Sequence, residues 1–375
     1  MRGWSGRVGA AIGGLALAAT AGCAGFFVYP GSLTGGSSTS NDYVYVANAT
    51  TQTLAGFAVG TGTLTAVTNS PYALSFVPTA VAVNPADTIV FVAGASSIYA
   101  FAIGTGGALS VLNNGSPVGN GDVVSMDISP DGQWLLALDG NTVGNAVNVD
   151  EFQINSSTGV LTPQIVTPYS ITGATVVPTS IKVAPNGQFV FASLGTAGDL
   201  VYTFNTSTGA LISSQQVSLL NATTSDNSLA VSPNSNYLYI ARSGTSAGLA
   251  VYSIGTNGAP TPVGSSVTAG SQPFSVVVNS AGTDVYVANQ AGSSIFGYSV
   301  ASNGTLTALA DSPYTASSMV DALAVDRTGD YLLATARGGS SDLTMYSFSA
   351  GVPNAVASTA TGTDPTGAAA LAATH

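Results

Sequence analysis

Charged side chains are scarce in this chain of 375 residues, since Asp, Glu, Lys and Arg make up only 6% of it, against about a quarter in an average soluble protein. Cys and His occur once each. One residue of each kind cannot form a zinc finger or a disulfide framework. No Asp-rich calcium loop is recognisable either. We therefore expect neither a bound metal ion nor a cofactor.

Positive charge is especially rare. Six Lys and Arg residues stand against 17 Asp and Glu residues, which gives a net charge of −11. Without Arg2 and Arg7, which precede an apolar N-terminal segment, the net charge becomes −13. A nucleic-acid-binding protein needs a basic surface, and an acidic chain repels phosphates. We expect no nucleic-acid partner and no phosphorylated substrate.

The N-terminus has the pattern of an export signal. Arg2 and Arg7 precede the uncharged residues 8–22, which are rich in Ala, Gly and Leu. The lone Cys23 follows small residues, an arrangement that resembles a bacterial lipobox, in which the leader is cleaved and the Cys is acylated. Thr20 departs from that pattern, because Leu is usual at this position.

Two interpretations of this segment remain open. As a lipoprotein signal, residues 1–22 would be removed and Cys23 would be lipidated. As an uncleaved helix, the uncharged run as far as Val28 is just long enough to span a bilayer. Either way we expect an extracytoplasmic protein of the bacterial envelope. In the lipoprotein interpretation only the lipid contacts the membrane, and residues 23–41, rich in Gly and Ser, form a flexible tether.

A unit of about 47 residues recurs along the rest of the chain. Each unit contains four short segments rich in Val, Ile, Phe, Tyr and Thr, which predict β-strands, and a tight turn between the first two. The turns are marked, at spacings of 45 to 55 residues, by Pro85, Pro130, Pro185, Pro233, Ser280 and Arg327.

The ends of the repeat are complementary. Residues 43–46 match the second strand of later units, but no first strand precedes them. The missing strand is matched by residues 365–371, which resemble 78–84. Six complete units and one split unit predict an all-β fold, a seven-bladed β-propeller of four-stranded antiparallel blades over residues 42–375. The C-terminal strand joins the N-terminal blade and closes the ring, which removes open sheet edges.

Two segments carry a resemblance to a known family. Residues 45–48 and 286–289 both read Tyr-Val-Ala-Asn, close to the Tyr-Val-Thr-Asn motif of one propeller superfamily. With the repeat spacing, the chain resembles the seven-bladed lactonase-like proteins, a family often labelled 6-phosphogluconolactonase. The resemblance implies hydrolysis of a cyclic ester in a central pocket by His, Arg and Glu. This chain departs from that pattern, because its only His is His375 and its only Glu is Glu151.

Candidate site residues follow from the strand directions. Loops that join second to third strands share one face with the loops that lead into each blade, and propeller pockets open there. The second strands are expected to end nine residues after each turn anchor. A lactonase needs a base for water and a donor for the oxyanion, roles that we assign to Asp139 and Arg242. The expected substrate-binding residues are Asn48, Asn289, Arg337 and Asp321.

Structural explanations compete with these assignments. An Asp in a turn commonly caps backbone amides, and an Arg at a strand end is commonly solvated. For Lys182 and Asp127, which occupy the same column of adjacent blades, we expect an ion pair between blades, because burying either charge alone is costly.

Two main hypotheses for the function therefore remain open. The first is an extracytoplasmic lactonase, acting on a neutral or carboxylated lactone. The second is a non-catalytic envelope scaffold that binds a glycan, peptide or protein, of which a purely architectural repeat protein is a further form. In each case a monomer is expected.

Overall fold

The computed structural model describes residues 42–94, 96–142, 145–164, 168–171, 174–217, 223–337, 341–362 and 371–375. The chain divides into two compact units, Met1–Thr39 and Ser40–His375, and every described residue lies in the second. The expected leader, the lipidation site Cys23 and the tether lie outside the described residues, as does the apolar run to Val28. Within the described ranges no helix is long and apolar enough to cross a membrane.

Seven four-stranded antiparallel blades make up the fold, numbered here from the N-terminus. The innermost strands of blades 1 to 7 are Leu371–Ala373, Pro78–Val83, Val123–Ile128, Ser180–Val183, Thr224–Val231, Pro273–Val278 and Val320–Val325. The second strands are Tyr43–Asn48, Ile89–Gly94, Trp134–Asp139, Phe189–Ser193, Tyr237–Gly244, Asp284–Asn289 and Tyr331–Ala336. The third strands are Thr53–Gly60, Ser97–Ile103, Val149–Ile154, Asp199–Phe204, Gly248–Ile254, Ser294–Val300 and Leu343–Ser349. The outermost strands are Thr63–Ala66, Leu109–Val111, Leu161–Pro163, Leu211–Val217, Pro260–Pro262, Leu306–Ala308 and Val352–Thr359.

Short additional elements border several blades. Three two-residue strands pair with the third strands of blades 1, 2 and 6, namely Tyr72–Ala73, Gly119–Asn120 and Tyr314–Thr315. A separate two-stranded ribbon pairs Ala146–Val147 with Tyr169–Ser170. Two 3-10 turns, Thr105–Gly107 and Asn113–Gly115, complete the described elements.

The two ends of the propeller meet in blade 1. Leu371–Ala373 pairs antiparallel with Tyr43–Asn48, with Leu371 opposite Val46. Beyond the strand, the Thr374 backbone N–H donates to the carbonyl oxygen of Tyr43 at 2.9 Å, and the Tyr43 N–H donates to the Thr374 hydroxyl at 2.9 Å. The predicted closure by the C-terminal strand is confirmed. Of the segment matched for it, residues 365–370 lie outside the described part of the chain.

Seven apolar clusters hold the blades together, and each joins two adjacent blades. The cluster between blades 7 and 1 contains Val44, Phe57, Leu333 and Met345. Because blades stack face to face, their central strands are buried on both sides, and all six residues of Tyr43–Asn48 are buried. This explains a sequence in which 45% of residues are hydrophobic but the strands show little alternation.

Serine side chains connect the innermost strands around the channel. An innermost strand has a partner strand on one side only, so its other edge presents unpaired N–H groups. A Ser five residues before the turn anchor accepts one such N–H from the next blade. The three pairs are Ser125 with Ile181, Ser228 with Val276 and Ser275 with Leu323, at 3.2, 3.4 and 3.2 Å. These bonds tie neighbouring blades at the channel wall.

The expected ion pair between blades 3 and 4 is confirmed. The Lys182 ammonium lies 3.9 Å from Asp127 Oδ1. Asp127 Oδ2 also accepts the Val183 N–H at 2.8 Å. Asp127 therefore accepts an N–H from the free edge of the next blade's innermost strand, as Ser side chains do elsewhere in the ring.

Candidate functional site

One face of the propeller gathers the ends of the second strands and the segments that lead into the innermost strands. We call it the upper face. The expected ends Asn48, Gly94, Asp139, Asn289 and Ala336 are confirmed, whereas blade 4 ends one residue earlier, at Ser193, and blade 5 two residues later, at Gly244. Backbone bonds join the two parts of this face: Gly140 N–H to Asp122 O, Gln290 N–H to Gln272 O and Arg337 N–H to Met319 O.

Arg242 lies beneath this face, inside blade 5. Its Nε and Nη2 donate to the two carboxylate oxygens of Asp226 at 2.5 and 2.9 Å, and Nη2 also contacts the Tyr252 hydroxyl at 3.4 Å. The side chain is 1% exposed. A bidentate pair of this kind neutralises the guanidinium within the fold. The structure brings Arg242 to Asp226 and not to Asp139, so its assigned catalytic role has no supporting contact.

A second carboxyl group adjoins this pair. Asp199, at the start of the third strand of blade 4, is fully buried. Burial, and secondly the carboxylate of Asp226, raises the pKa of Asp199 well above its ordinary value, although Arg242 opposes the shift. Neither carboxyl oxygen of Asp199 has a hydrogen-bond partner among the described residues, so burial favours its protonated, uncharged form. Asp199 was not identified from the sequence, because its neighbours belong to another blade.

Arg337 has a different environment. Its Nε donates to Asp321 Oδ2 at 2.8 Å, while the Thr335 hydroxyl donates to Asp321 Oδ1 at 2.9 Å. Asp321 is completely buried, and the Arg337 side chain is 36% exposed. Burial raises the pKa of Asp321 to about 6, against the effect of the two donors. Within the described residues the terminal nitrogens of Arg337 form no hydrogen bond, so they remain available at the upper face.

Blade 3 contributes carboxylates to the same face. Asp139 is partly exposed and its Oδ1 accepts the Asn141 N–H at 2.7 Å. Burial raises the pKa of Asp139, Asp122 adds to the shift, and the Asn141 N–H opposes it. Burial, followed by the charge of Asp139, raises the pKa of Asp150 to about 6. No group of three or more metal-ligating side chains occurs in the portion of the chain that the structure describes.

The two motif asparagines are used inside the fold. Asn48 donates to the carbonyl oxygen of Thr361 at 3.1 Å and accepts the Thr361 hydroxyl at 2.9 Å. Asn289 accepts the Gln272 N–H at 3.0 Å and donates to Ser294 at 3.2 Å. Both side chains are buried. They fasten a lead-in segment to a second-strand end, and substrate binding by Asn48 or Asn289 remains a prediction.

Three exposed apolar side chains of the upper face were not identified from the sequence. Val77, Val177 and Met319 are 45, 48 and 44% exposed. Each stands eight residues before its turn anchor, at the start of the path into the innermost strand. This shared position, eight residues before the turn anchor, is visible in the sequence and could have identified them.

Comparison with known proteins supports the architecture. Residues 198–322 match a family described as "Lactonase, 7-bladed beta-propeller". Among solved structures, the periplasmic gluconolactonase PpgL of Pseudomonas aeruginosa has a TM-score of 0.70 at 14% identity, covering 86% of this chain and 98% of the other. A proposed 6-phosphogluconolactonase of Bacteroides fragilis has a TM-score of 0.68 at 15% identity, covering 90 and 98%. No curated protein matches the sequence.

The same fold also supports other chemistry. Hydrazine synthase of Kuenenia stuttgartiensis has a TM-score of 0.60 at 13% identity, with 82% of this chain and 92% of that chain covered. Similarity at these identities shows the fold alone. The chain is thus an all-β, seven-bladed propeller. Its resemblance to the lactonase-like propellers is confirmed by the family match over residues 198–322.

Proposed function

We propose that the protein is a lactonase-like hydrolase that opens a cyclic ester at the upper face. One observation carries the proposal: the guanidinium of Arg337 is oriented by the buried Asp321 and keeps its terminal nitrogens accessible. Such a fixed donor can bind a carbonyl oxygen and stabilise the negative charge that develops there. Arg337 takes the role first assigned to Arg242, because the guanidinium of Arg242 is buried and paired.

The reaction would be an ordinary ester hydrolysis. Water attacks the carbonyl carbon, the ring C–O bond breaks, and the departing alkoxide receives a proton, so the product is a hydroxy acid. Asp139 is the proposed base, since burial raises its pKa and thereby its affinity for a proton. Asp139 and Arg337 belong to blades 3 and 7, which are not adjacent. No described contact brings Asp139 near Arg337, so Asp139 enters the proposal as the predicted base and the proposal rests on Arg337.

A lactone panel tests the proposal. We expect hydrolysis of at least one neutral lactone above the uncatalysed rate, and Arg337→Gln should lower kcat/KM about 100-fold, the usual effect of losing an oxyanion donor. Arg327→Gln is the matched control, because Arg327 follows an innermost strand and lies in the turn opposite the upper face. Absence of turnover for every lactone, or full activity in Arg337→Gln, would overturn the proposal.

Non-catalytic binding at the same face is the alternative. It is favoured by the engagement of Arg242, Asn48 and Asn289 within the fold, which leaves few accessible acid or base groups. A glycan or peptide would then bind without turnover. Binding of a glycan array combined with no hydrolysis in the lactone panel would favour this scaffold role.

The proposed location is the bacterial envelope, with a lipid on Cys23. The support is the sequence pattern at the N-terminus, where an uncharged run leads to a lone Cys. Labelling of cells with an alkyne fatty acid should tag the native protein and not Cys23→Ser. Equal labelling of both proteins would contradict lipidation at this residue.

A further inference from the structure

A cleft lies between blades 2 and 3, away from the channel. Its volume is about 300 Å³, at the lower end of the range for small-molecule sites. The floor consists of the buried apolar residues Val118, Phe152 and Leu161, and the rim includes the exposed Pro117 and Pro163. The Leu161 N–H donates to the Val118 carbonyl oxygen at 3.2 Å, which joins the two blades at the base of the cleft. The cleft is therefore a fixed feature of this interface, with room for a small organic molecule.

Asp150, on the third strand of blade 3, lines this cleft. It shares a face of the strand with Phe152, because alternate side chains of a strand point the same way. A β-carbon at Gly121, in the segment that leads into blade 3, would lie 3.0 Å from Asp150 Oδ2, so the lack of a side chain there leaves room for the carboxyl group. The intervening Glu151 faces blade 4, where its Oε1 accepts the Leu211 N–H at 3.0 Å. Asp150 therefore supplies the carboxyl group of the cleft.

Within the described ranges this carboxyl group has no counter-charge. The described Lys, Arg and His side chains pair with other carboxylates, and no described residue donates a hydrogen bond to Asp150. Asp150 is half-buried. Burial, followed by the charge of Asp139, disfavours its ionised form and raises its pKa to about 6. A cation bound in the cleft would offset both effects, and the net charge of −11 attracts cations to the chain as a whole.

We propose that the cleft between blades 2 and 3 binds a small organic ammonium ion, with the ammonium group at Asp150 and the apolar body on the floor. A protonated amine donates charge-assisted hydrogen bonds to a carboxylate, and its body leaves water on contact with Phe152 and Leu161. A metal ion fits less well, because it needs several ligands and the described residues contain no cluster of three ligating side chains. The site is independent of the proposed hydrolysis, whose donor Arg337 lies in blade 7.

The test compares three ligands of nearly one shape and different charge: cyclohexylmethylamine, cyclohexylmethanol and cyclohexanecarboxylate. Binding is measured by titration calorimetry at about pH 8, above the pKa of Asp150. We expect the amine to bind about 10-fold more tightly than the alcohol, the lower end of the effect of a hydrogen bond to a charged group, and the carboxylate to bind most weakly. Methylamine, which lacks the apolar body, should bind at least about 10-fold more weakly than cyclohexylmethylamine.

Two variants with the same change of charge locate the binding. Asp150→Asn should lower the affinity for cyclohexylmethylamine about 10-fold and leave that for cyclohexylmethanol unchanged, because only the charged hydrogen bond is lost. Asp330→Asn is the matched control, since Asp330 is exposed and lies in a turn of blade 7, before the strand Tyr331–Ala336. It should leave both affinities unchanged. Thermal unfolding of each variant excludes a folding defect as the cause of a change.

The ligand comparison on the native protein does not depend on how the variants fold. Equal affinity for the amine and the alcohol, or tighter binding of the carboxylate, would overturn the inference. So would an equal loss of amine affinity in Asp150→Asn and Asp330→Asn, which would show attraction to the acidic chain in general. Lactone turnover takes no part in these measurements, so the proposed hydrolysis stands or fails separately.

Discussion

Arg242 and Arg337 show how one residue of offset changes the environment of a side chain. They stand nine and ten residues after their turn anchors: Arg242 lies inside the second strand Tyr237–Gly244, whereas Arg337 directly follows the second strand Tyr331–Ala336. A side chain inside a strand points to one face of its sheet, and in a propeller both faces are covered by neighbouring blades. Arg242 is therefore enclosed with Asp226, whereas Arg337 reaches the upper face with its Nε held by Asp321. The first is suited to a structural role and the second to binding a ligand.

Replacing Arg242 tests its structural role. In Arg242→Met the buried carboxylate of Asp226 loses its counter-charge, so we expect a loss of about 3–5 kcal/mol in the free energy of unfolding. The double variant Arg242→Met and Asp226→Asn removes both charges and should recover part of that loss. Urea unfolding measures both effects. Unchanged stability combined with lost lactone turnover would instead support the catalytic role first assigned to Arg242.

The sequence repeat predicts which residues share the upper face, but not all of the contacts that these residues make. The repeat located Asp139, Asp321 and Arg337 on one face, because strand ends follow from counting along the chain. It could not identify the partner of Arg242 among the acidic residues of the face. Asp199 comes from blade 4, and the charge of Asp226 in blade 5 adds to the rise of its pKa. Contacts between blades depend on the packing of separate sheets, which the repeat pattern does not contain.

At the scale of elements, buried asparagines join two of the seven second-strand ends to a lead-in segment. Asn48 and Asn289 hold Thr361 and Gln272 respectively, in blades 1 and 6. Gly270 lies against Asn289 with a φ of 85°, and a β-carbon there would collide with the amide group. The Asn of the Tyr-Val-Ala-Asn motif therefore holds the strand end and the lead-in segment together in blades 1 and 6.

The variant Asn289→Ala tests how much the hydrogen bonds of Asn289 stabilise the fold. The variant leaves the Gln272 N–H without its acceptor, and we expect a loss of about 1–3 kcal/mol in the free energy of unfolding. Asn120→Ala, at an exposed position, is the control and should change stability by less than about 0.5 kcal/mol. Denaturant titration compares the two. Equal stability of both variants would contradict a structural role of the motif.

For the molecule as a whole, the seven interfaces between blades are of one kind, including the one that joins the chain ends. That junction also contains polar groups. Asp42 accepts the Thr374 hydroxyl at 3.3 Å. Asp87 accepts the Arg327 Nη1 at 2.7 Å and the His375 N–H at 2.9 Å. The C-terminal residues Thr374 and His375 thus contact blades 1 and 2, and Arg327 of blade 7 shares the carboxylate of Asp87 with His375. The complementary ends of the sequence repeat predicted the junction itself but not these polar contacts.

Stability should decrease as the pH rises across the neutral range. Burial, followed by the charge of Asp326, raises the pKa of Asp42 to about 8, while the Arg327 backbone N–H and the Thr374 hydroxyl oppose the shift. Burial also raises the pKa of Glu151 to about 7 and of Asp150 to about 6. Between about pH 4 and pH 8 the folded protein therefore binds more protons than the unfolded chain, so its stability falls with rising pH.

The variant Asp42→Asn isolates the contribution of the junction. Asn resembles the protonated carboxyl group, so we expect a stabilisation that is at least about 1 kcal/mol larger at pH 9 than at pH 5, the equivalent of roughly one pKa unit. Thermal unfolding at both pH values measures it. The same stability difference from the native protein at pH 5 and pH 9 would show that Asp42 does not titrate as described.

Hydrogen exchange at the C-terminal strand tests the closed ring most directly, because every assignment to the upper face depends on that closure. We expect the backbone amides of Leu371–Ala373 and Thr374 to be protected to a degree comparable with those of Thr79–Val83 in blade 2, read by mass spectrometry of the terminal peptide. Exchange at the rate of an unfolded chain would contradict the closure and the seven-bladed arrangement of the site.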